Sequence, residues 1–481
     1  MTELKKESLR ENFNLLKSDY EKITKQHKVT PELSAVIKSL IMLMELMIAI
    51  FMEKKVKKTS SNSHKPSSQT EKDQTSTQSG SKGKGKDIND LTSDNCKVRE
   101  SIKLVTVTTC DHCGEDLSSQ PSDKIERRTK IDIFFEKRVE HVDAEVKECP
   151  DCHGITKGSF PMDMPGPLQY GKGIRAFVIN LLLGQFIALG RVQKTLRVLI
   201  GHVISEATIL KYVMQLYYAL EIWELHAKDE ILQSKAMNCD ETSLRVDKKK
   251  QWIHSYSSGD ITLKFLHEKR GCEAIDDIGI IPLYGGTCIH DCWSAYLSYH
   301  NCKHGLCGSH LLRELQFIIE SNDYHWEKNM KKLLKKIAKI ISKRKNKKLT
   351  EKEYFDLLKN FRNIITRGKK ELPIIVRTPE KKGRVAKSDA HNLLEMLDEH
   401  EEAVLAFARY SEVSFTNNRA ERDLRMAKVK KKVSGCFRSA EFAKAYCRIS
   451  SYLQTMENQG YHPMIAIQMV LDGKIPEIKV A

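Results

Sequence analysis

Apolar positions change period several times along the chain, and each change marks a boundary. Leu33, Ile37, Leu40, Met44, Met47 and Phe51 alternate four and three residues apart, the seam of a coiled coil, which predicts a helix that self-associates or packs. The stretch 33–52 has the length of a membrane span. Lys38 and Glu45 interrupt it, however, and a charge inside a span costs about 2.5–3.5 kcal/mol, so the seam is preferred. From 57 to 95 apolar residues nearly vanish among Ser, Thr, Gly, Lys and Gln, predicting a flexible basic linker.

After Pro161 to Pro167 the period becomes helical. FIALGRVQKTLRVLIG and HVISEATILKYVMQLYYAL predict two helices around Gly201, with Ser205 as N-cap and Ile209, Val213 and Leu216 on one stripe. The pair reads equally as a helix-turn-helix, whose second helix enters a major groove, or as a plain hairpin in a bundle.

At Met237 the period drops to two. MNCDETSLRV, QWIHSYSS and ITLKFLHE predict a three-stranded meander. A helix around Cys272 to Ile278 follows, then IIPLYGGTCIHDCWSAY as a buried strand ending at Asp291, then GLCGSHLLREL from strand into helix. This order is that of a ribonuclease H-like fold, in which carboxylates at the first and fourth strands lie side by side. The expected architecture is multidomain α+β. It comprises a helical coil (1–56), the linker (57–95), a zinc ribbon (96–160), a helical, helix-turn-helix-like DNA-binding region (161–232), an α/β core (233–322), a helical insertion (323–412) and the last part of the core (413–481).

Composition narrows the partners. A net charge of +17 and a pI near 9.1 favour a polyanion, either nucleic acid or an anionic membrane surface. Met1 to Lys28 is polar where a secretory signal would be apolar, so a reducing cytoplasm is expected. There, 13 cysteines with two CxxC pairs point to metal binding more than to disulfides. CDHC (Cys110, Cys113) and CPDC (Cys149, Cys152) offer four thiolates, the closed tetrahedral set of structural Zn²⁺. His112, His141 and His153 are weaker candidates, and the alternating IDIFFEKRVEHV between the pairs reads as ribbon strands.

Asp240 lies on the first strand of the meander and Asp291 ends the fourth. Glu241, next to Asp240, would point to the opposite face. A third acid must come from beyond the insertion, and Glu421 in SFTNNRAERDLRMAKVKKK is the best candidate, in the first turn of a helix capped by Asn417 or Asn418. Its plainer reading is an ion pair with Arg425 four residues on. Three such acids suit phosphodiester chemistry, in which two divalent ions about 3.5–4 Å apart clamp the entering and leaving oxygens, and hard Mg²⁺ or Mn²⁺ prefers carboxylates. Arg422, Arg425, Lys428 and Lys430 follow as candidate DNA contacts. Cys307 and His310, three apart on a helix, read as packing or as a metal or DNA contact, and Arg313 beside them as a phosphate contact. In the insertion, residues 328–348 hold eleven Lys and Arg and no acid around a stripe of Leu333, Leu334, Ile337, Ile340 and Ile341, which favours a DNA-backbone contact.

CDET around Asp240, HDCWSAY around Asp291 and NNRAERDLR around Glu421 resemble the three catalytic boxes of the insertion-sequence-66 family of transposases. TSSNSHKPSS resembles that family's linker signature, the CxxC pairs its zinc-binding domain, CGSH a further box, and GRVAKSDAHNLLEMLDEHEEAVLAF the stretch before its last acid. The resemblance implies a DDE transposase that cleaves and joins DNA at the ends of its own element, with Asp240, Asp291 and Glu421 as metal ligands. It also implies a homo-oligomer in a prokaryotic cytoplasm, with accessory proteins encoded by the same element. Cys239 and Cys292 depart from the small or polar residues expected beside the acids. The competing reading is a catalytically inactive zinc-ribbon DNA-binding protein derived from a transposase.

Overall fold

A computed structural model describes residues 3–25, 30–52, 102–122, 124–130, 137–374 and 387–478. The chain forms two compact units, residues 71–140 and the remainder. The predicted linker, 57–95, lies outside the described residues.

In the larger unit, α1 (Glu3–Lys25) and α2 (Pro31–Met52) form a hairpin, in which the Tyr20 hydroxyl donates to the Ser34 carbonyl at 3.0 Å. Of the predicted seam, Leu33, Leu40 and Met44 are exposed and Ile37 is half-buried, while the side chains of Met47 and Phe51 lie outside the described residues. No described helix is long and apolar enough to cross a membrane.

The strands β1 (Val146–Glu148) and β2 (Ile155–Lys157) pair antiparallel around the second CxxC turn. The strands flank the knuckle; of the arm expected to form ribbon strands, 137–142 is not a strand and 131–136 lies outside the described residues. A strand needs a partner, and the knuckle turn supplies one by folding the chain back on itself.

Next come α3 (Lys172–Ile179), a π-helical turn (Asn180–Gly184), α4 (Leu189–Ile200), α5 (Glu206–Ala219) and α6 (Glu221–Gln233). Gly201 ends α4 in the left-handed region at φ 69°, open to glycine at no steric cost. Ser205 caps α5, accepting from the Thr208 N–H at 3.1 Å. Ile209, Val213 and Leu216 are buried as predicted. They pack in one core with residues of the central sheet, so the inner face of this helical pair is spent on packing.

That sheet contains β3 (Ala236–Val246), β4 (Lys249–Ser258), β5 (Ile261–His267), β6 (Thr287–His290) and β7 (Lys303–Leu306), with α7 (Cys272–Ile278) before β6 and α8 (Ser294–Leu297) before β7. The strand order is β5-β4-β3-β6-β7; the meander is antiparallel, and β3, β6 and β7 run parallel. Asp247 and Lys248 both take positive φ, the two-residue turn whose twist suits a hairpin.

Then follow α9 (Gly308–Ser321), α10 (Trp326–Lys343), α11 (Glu351–Glu371), α12 (Asp389–Glu399), α13 (Glu401–Arg409), α14 (Asn418–Asp423), α15 (Arg425–Ser434), α16 (Ala440–Asn458) and α17 (Pro463–Leu471). Alternation on β6 divides the interior: Cys288 enters the core of Met237, Cys239 and Tyr256, while Ile289 enters a second core with Leu306 and helices α9–α13. The insertion is thus stabilised by its own apolar interior. Trp326 and Phe361 are fully buried there, each worth about 1.5–3 kcal/mol by burial.

Candidate active site

The two aspartates are brought together by strand register. Asn238 of β3 pairs with Ile289 of β6 in parallel. Asp240 and Asp291 lie two positions beyond that pair, so the same register carries them to one face, side by side at the carboxyl end of the parallel seam. Asp291 falls just past the strand, and its Oδ1 accepts from the Trp293 N–H at 3.2 Å. Burial pushes Asp240 well above the usual carboxylate range, and the charges of Glu241 and Asp291 push it further. Asp291 is pushed up to about 6, chiefly by burial, with Glu241 and Glu421 adding to it. Asp291 is thus within electrostatic reach of Glu421 and raises the proton affinity of Asp240, and carboxylate oxygens are the donors a hard divalent cation takes.

Glu421 reaches this place because the start of its helix is tied to β3. Asn417 occupies the N-cap position of α14 but makes no cap hydrogen bond, contrary to expectation. Its side chain instead donates to the Cys239 carbonyl at 2.7 Å and accepts from the Asn238 amide at 2.8 Å. Its own N–H donates to Cys307 Sγ at 3.1 Å. Asn417 is 1% exposed, so each of these bonds replaces water that cannot enter. One turn on, Glu421 Oε1 lies 3.6 Å from His310 Nδ1. The ligand atoms of Cys307, His310 and Glu421 all lie within 4.8 Å of one another, a grouping that helical spacing alone did not predict. Gly308 permits it: its N–H donates to the Phe415 carbonyl at 2.7 Å, and a Cβ there would lie 2.2 Å from the Phe415 ring.

Two acids in one short helix have different surroundings. Asp423 is buried and fully engaged, accepting from Ser257 (2.6 Å), Thr262 (3.0 Å) and Gln454 (2.8 Å), with Arg419 at 3.4 Å. Among the described residues Glu421 has no such ring of donors. The alternative ion pair of Glu421 with Arg425 is not formed among the described residues; the helix breaks at Leu424, between α14 and α15.

Glu241 faces away from Asp240, as alternation requires, and is occupied by Arg270 at 2.7 Å and the Tyr296 hydroxyl at 2.6 Å. Cys239 also turns inward, with its Sγ 3.0 Å from that of Cys288 in the core, so the departure beside the first acid does not crowd the site. Arg422, Arg425 and Lys428 are exposed, and Lys428 is near enough to lower the proton affinity of Asp240. Lys430 is half-buried over the Phe437 ring, and Arg313 is half-buried on α9. On α10 the stripe Leu334, Ile337 and Ile341 is buried, and Lys328, Lys332, Lys335, Lys336, Lys339 and Lys343 face solvent.

Each CxxC turn closes in the same way. The Cys110 N–H donates to the Glu115 carbonyl and the Gly114 N–H to Cys110; likewise Cys149 to Gly154 and His153 to Cys149. In each knuckle the first thiol is lowered from its ordinary value by main-chain N–H groups, those of His112 and Cys113 for Cys110, and of Cys152 and Asp151 for Cys149. Lowered thiols favour the thiolate that metals bind. His153 pairs with Glu148 at 2.8 Å.

No curated protein matches the chain. The family model described as Transposase IS66 family matches residues 167–445, more than half of the chain and a span that includes Asp240, Asp291 and Glu421. The chain therefore belongs to the IS66 family of transposases.

Proposed function

We propose that this transposase is a DDE enzyme that cleaves DNA at the ends of its own element and joins it to a target, with Asp240, Asp291 and Glu421 as metal ligands. The register of β3 against β6 carries the reading, because it accounts for two acidic boxes with one feature. The strand order β5-β4-β3-β6-β7 supports a ribonuclease H-like core. When bound, Mg²⁺ or Mn²⁺ supplies charge for the transition state and activates the attacking water or 3'-hydroxyl. The protein's own part is to hold three carboxylates at fixed spacing and to guide the polyanion. We assign that guidance to Arg313, Arg422, Arg425, Lys428, Lys430 and the lysine face of α10, whose single sign suits a phosphate backbone.

The matching knuckles support zinc as a structural ion held by Cys110, Cys113, Cys149 and Cys152. A homo-oligomer in a prokaryotic cytoplasm, working with other element-encoded proteins, completes the proposal.

Asp240→Asn and Asp291→Asn are expected to abolish Mg²⁺-dependent cleavage and strand transfer. The loss should exceed the roughly 10–100-fold typical of a residue one step removed from a metal, with DNA binding retained. Full activity in either variant removes that residue from the triad. Wild-type protein that binds element ends and never cleaves them would instead be the inactive DNA-binding regulator.

A further inference from the structure

Arg270 lies three residues beyond β5, outside every sequence box discussed above. Its Nε donates to Glu241 Oε1 at 2.7 Å, and its Nη2 stands 2.5 Å from the same oxygen. Glu241 has a side chain only 1% exposed and is also held by the Tyr296 hydroxyl. The guanidinium lies 4.1 Å from the Trp293 ring centroid and 5.0 Å from that of Trp252, so two aromatic rings and a buried carboxylate hold it in place. Nη1 takes part in none of these bonds, and the side chain is 39% exposed.

Two further observations aim this cation at the acidic site. Trp293 is also the residue whose main-chain N–H donates to Asp291 Oδ1, so one residue meets the guanidinium with its ring and the second acid with its backbone. Arg270 also lowers the proton affinity of Asp291, which places it within electrostatic reach. Beside it, Lys250 Nζ lies 4.6 Å from the Trp252 centroid, and Lys250 is exposed. A counter-ion for Glu241 alone needs a charge. A guanidinium held by a carboxylate and two ring contacts, with Nη1 outside those bonds, is additionally prepared to bind a second anion at little further cost in side-chain freedom.

We propose that Arg270, held against the rings of Trp252 and Trp293, holds a DNA phosphate beside Asp291, with Lys250 extending the same path along Trp252. The inference rests on the transposase reading and names a DNA contact which that reading does not supply.

The test is equilibrium binding of full-length protein to random-sequence duplex DNA across a salt series, because phosphate contacts are read in the salt slope. Glu241→Gln alone retains Arg270. The double variant Glu241→Gln with Arg270→Gln removes both charges and so spares the fold an unpaired buried carboxylate. Relative to Glu241→Gln, the double variant is expected to bind several-fold more weakly, with a slope of log K against log salt shallower by about 0.9 for the phosphate lost. Arg270→Lys, which keeps a charge opposite Glu241 without the second donor edge, is expected to weaken binding in the same direction and serves if the double variant does not fold. Unchanged slope and affinity in both Arg270 variants overturn the assignment. Wild-type protein with no salt-dependent DNA binding overturns the transposase reading itself, a different result from the first.

Discussion

The side-chain amide of Asn417 donates a 2.7 Å hydrogen bond to the main-chain carbonyl of Cys239, the residue immediately before Asp240. That bond ties the start of the helix bearing Glu421 to the strand bearing the first acid. Asn417→Ala would remove the partner that this buried side chain gives the Cys239 carbonyl and the Asn238 amide. A stability loss of about 1–3 kcal/mol is expected by urea denaturation. Cleavage measured at a temperature where the variant remains folded should fall further than that loss explains, because the third acid loses its alignment. Wild-type cleavage in a destabilised variant would show that Asn417 acts on the fold alone.

Glu421 and Asp423 should separate activity from stability. Asp423→Asn disturbs a buried carboxylate with several donors, so its melting temperature should drop by several degrees, as a loss of about 1–3 kcal/mol implies. Glu421→Gln, which alters a partly exposed group, should melt close to wild type and yet lose metal-dependent cleavage. The reverse pattern would move the catalytic assignment to Asp423.

Cys110→Ser and Cys149→Ser each remove a thiol that main-chain donors hold below its ordinary value. Zinc measured by elemental analysis on the purified protein is expected to fall in both variants, since a structural ion lost from part of its ligand set is weakly held. Full zinc content in either one would exclude that knuckle from ion binding.

Glu327 in the insertion gives a pH signature. It is buried, its oxygens have no hydrogen-bond partner beyond its own residue among the described residues, and burial pushes it up to about 7 from an ordinary 4.5. The folded chain therefore keeps a proton that the unfolded chain releases, and stability falls as pH rises from about 4.5 to about 7. Glu327→Gln stays neutral throughout. It should be more stable than wild type at pH 8, by up to about 3 kcal/mol, and indistinguishable from it near pH 4. Denaturation curves at the two pH values check this, and an equal effect at both would exclude titration of Glu327 as the cause.

Local patterns carried far in this sequence. Period-two alternation gave the meander, and Ser205 and Gly201 marked the ends of neighbouring helices, because caps and strands are written in adjacent residues. The positions of Asp240 on β3 and of Asp291 just past β6 were legible for the same reason: each sits on or ends an apolar run that reads as a strand. The third acid was harder. The break at Leu424 leaves no trace in a stretch that reads as one continuous basic helix. The partner that redirects Asn417 from capping to tethering is 178 residues away in sequence. Arg270 escaped notice for a similar cause, since its two tryptophans and its carboxylate come from β3, β4 and the loop after β6. Residues 137–142, which alternate without forming a strand, show the limit of alternation: it marks residues able to form a strand but not the neighbour they need.

Glu421 follows Asp291 only after helices α9–α13, although the two aspartates already share a seam by the end of β6. During synthesis the sheet and its paired aspartates leave the ribosome well before the third carboxylate exists. A nascent chain, or one cut short by a stop codon in the insertion, thus carries an acidic pair without its completing member. On the proposed chemistry, a partly made copy has no means to cut DNA.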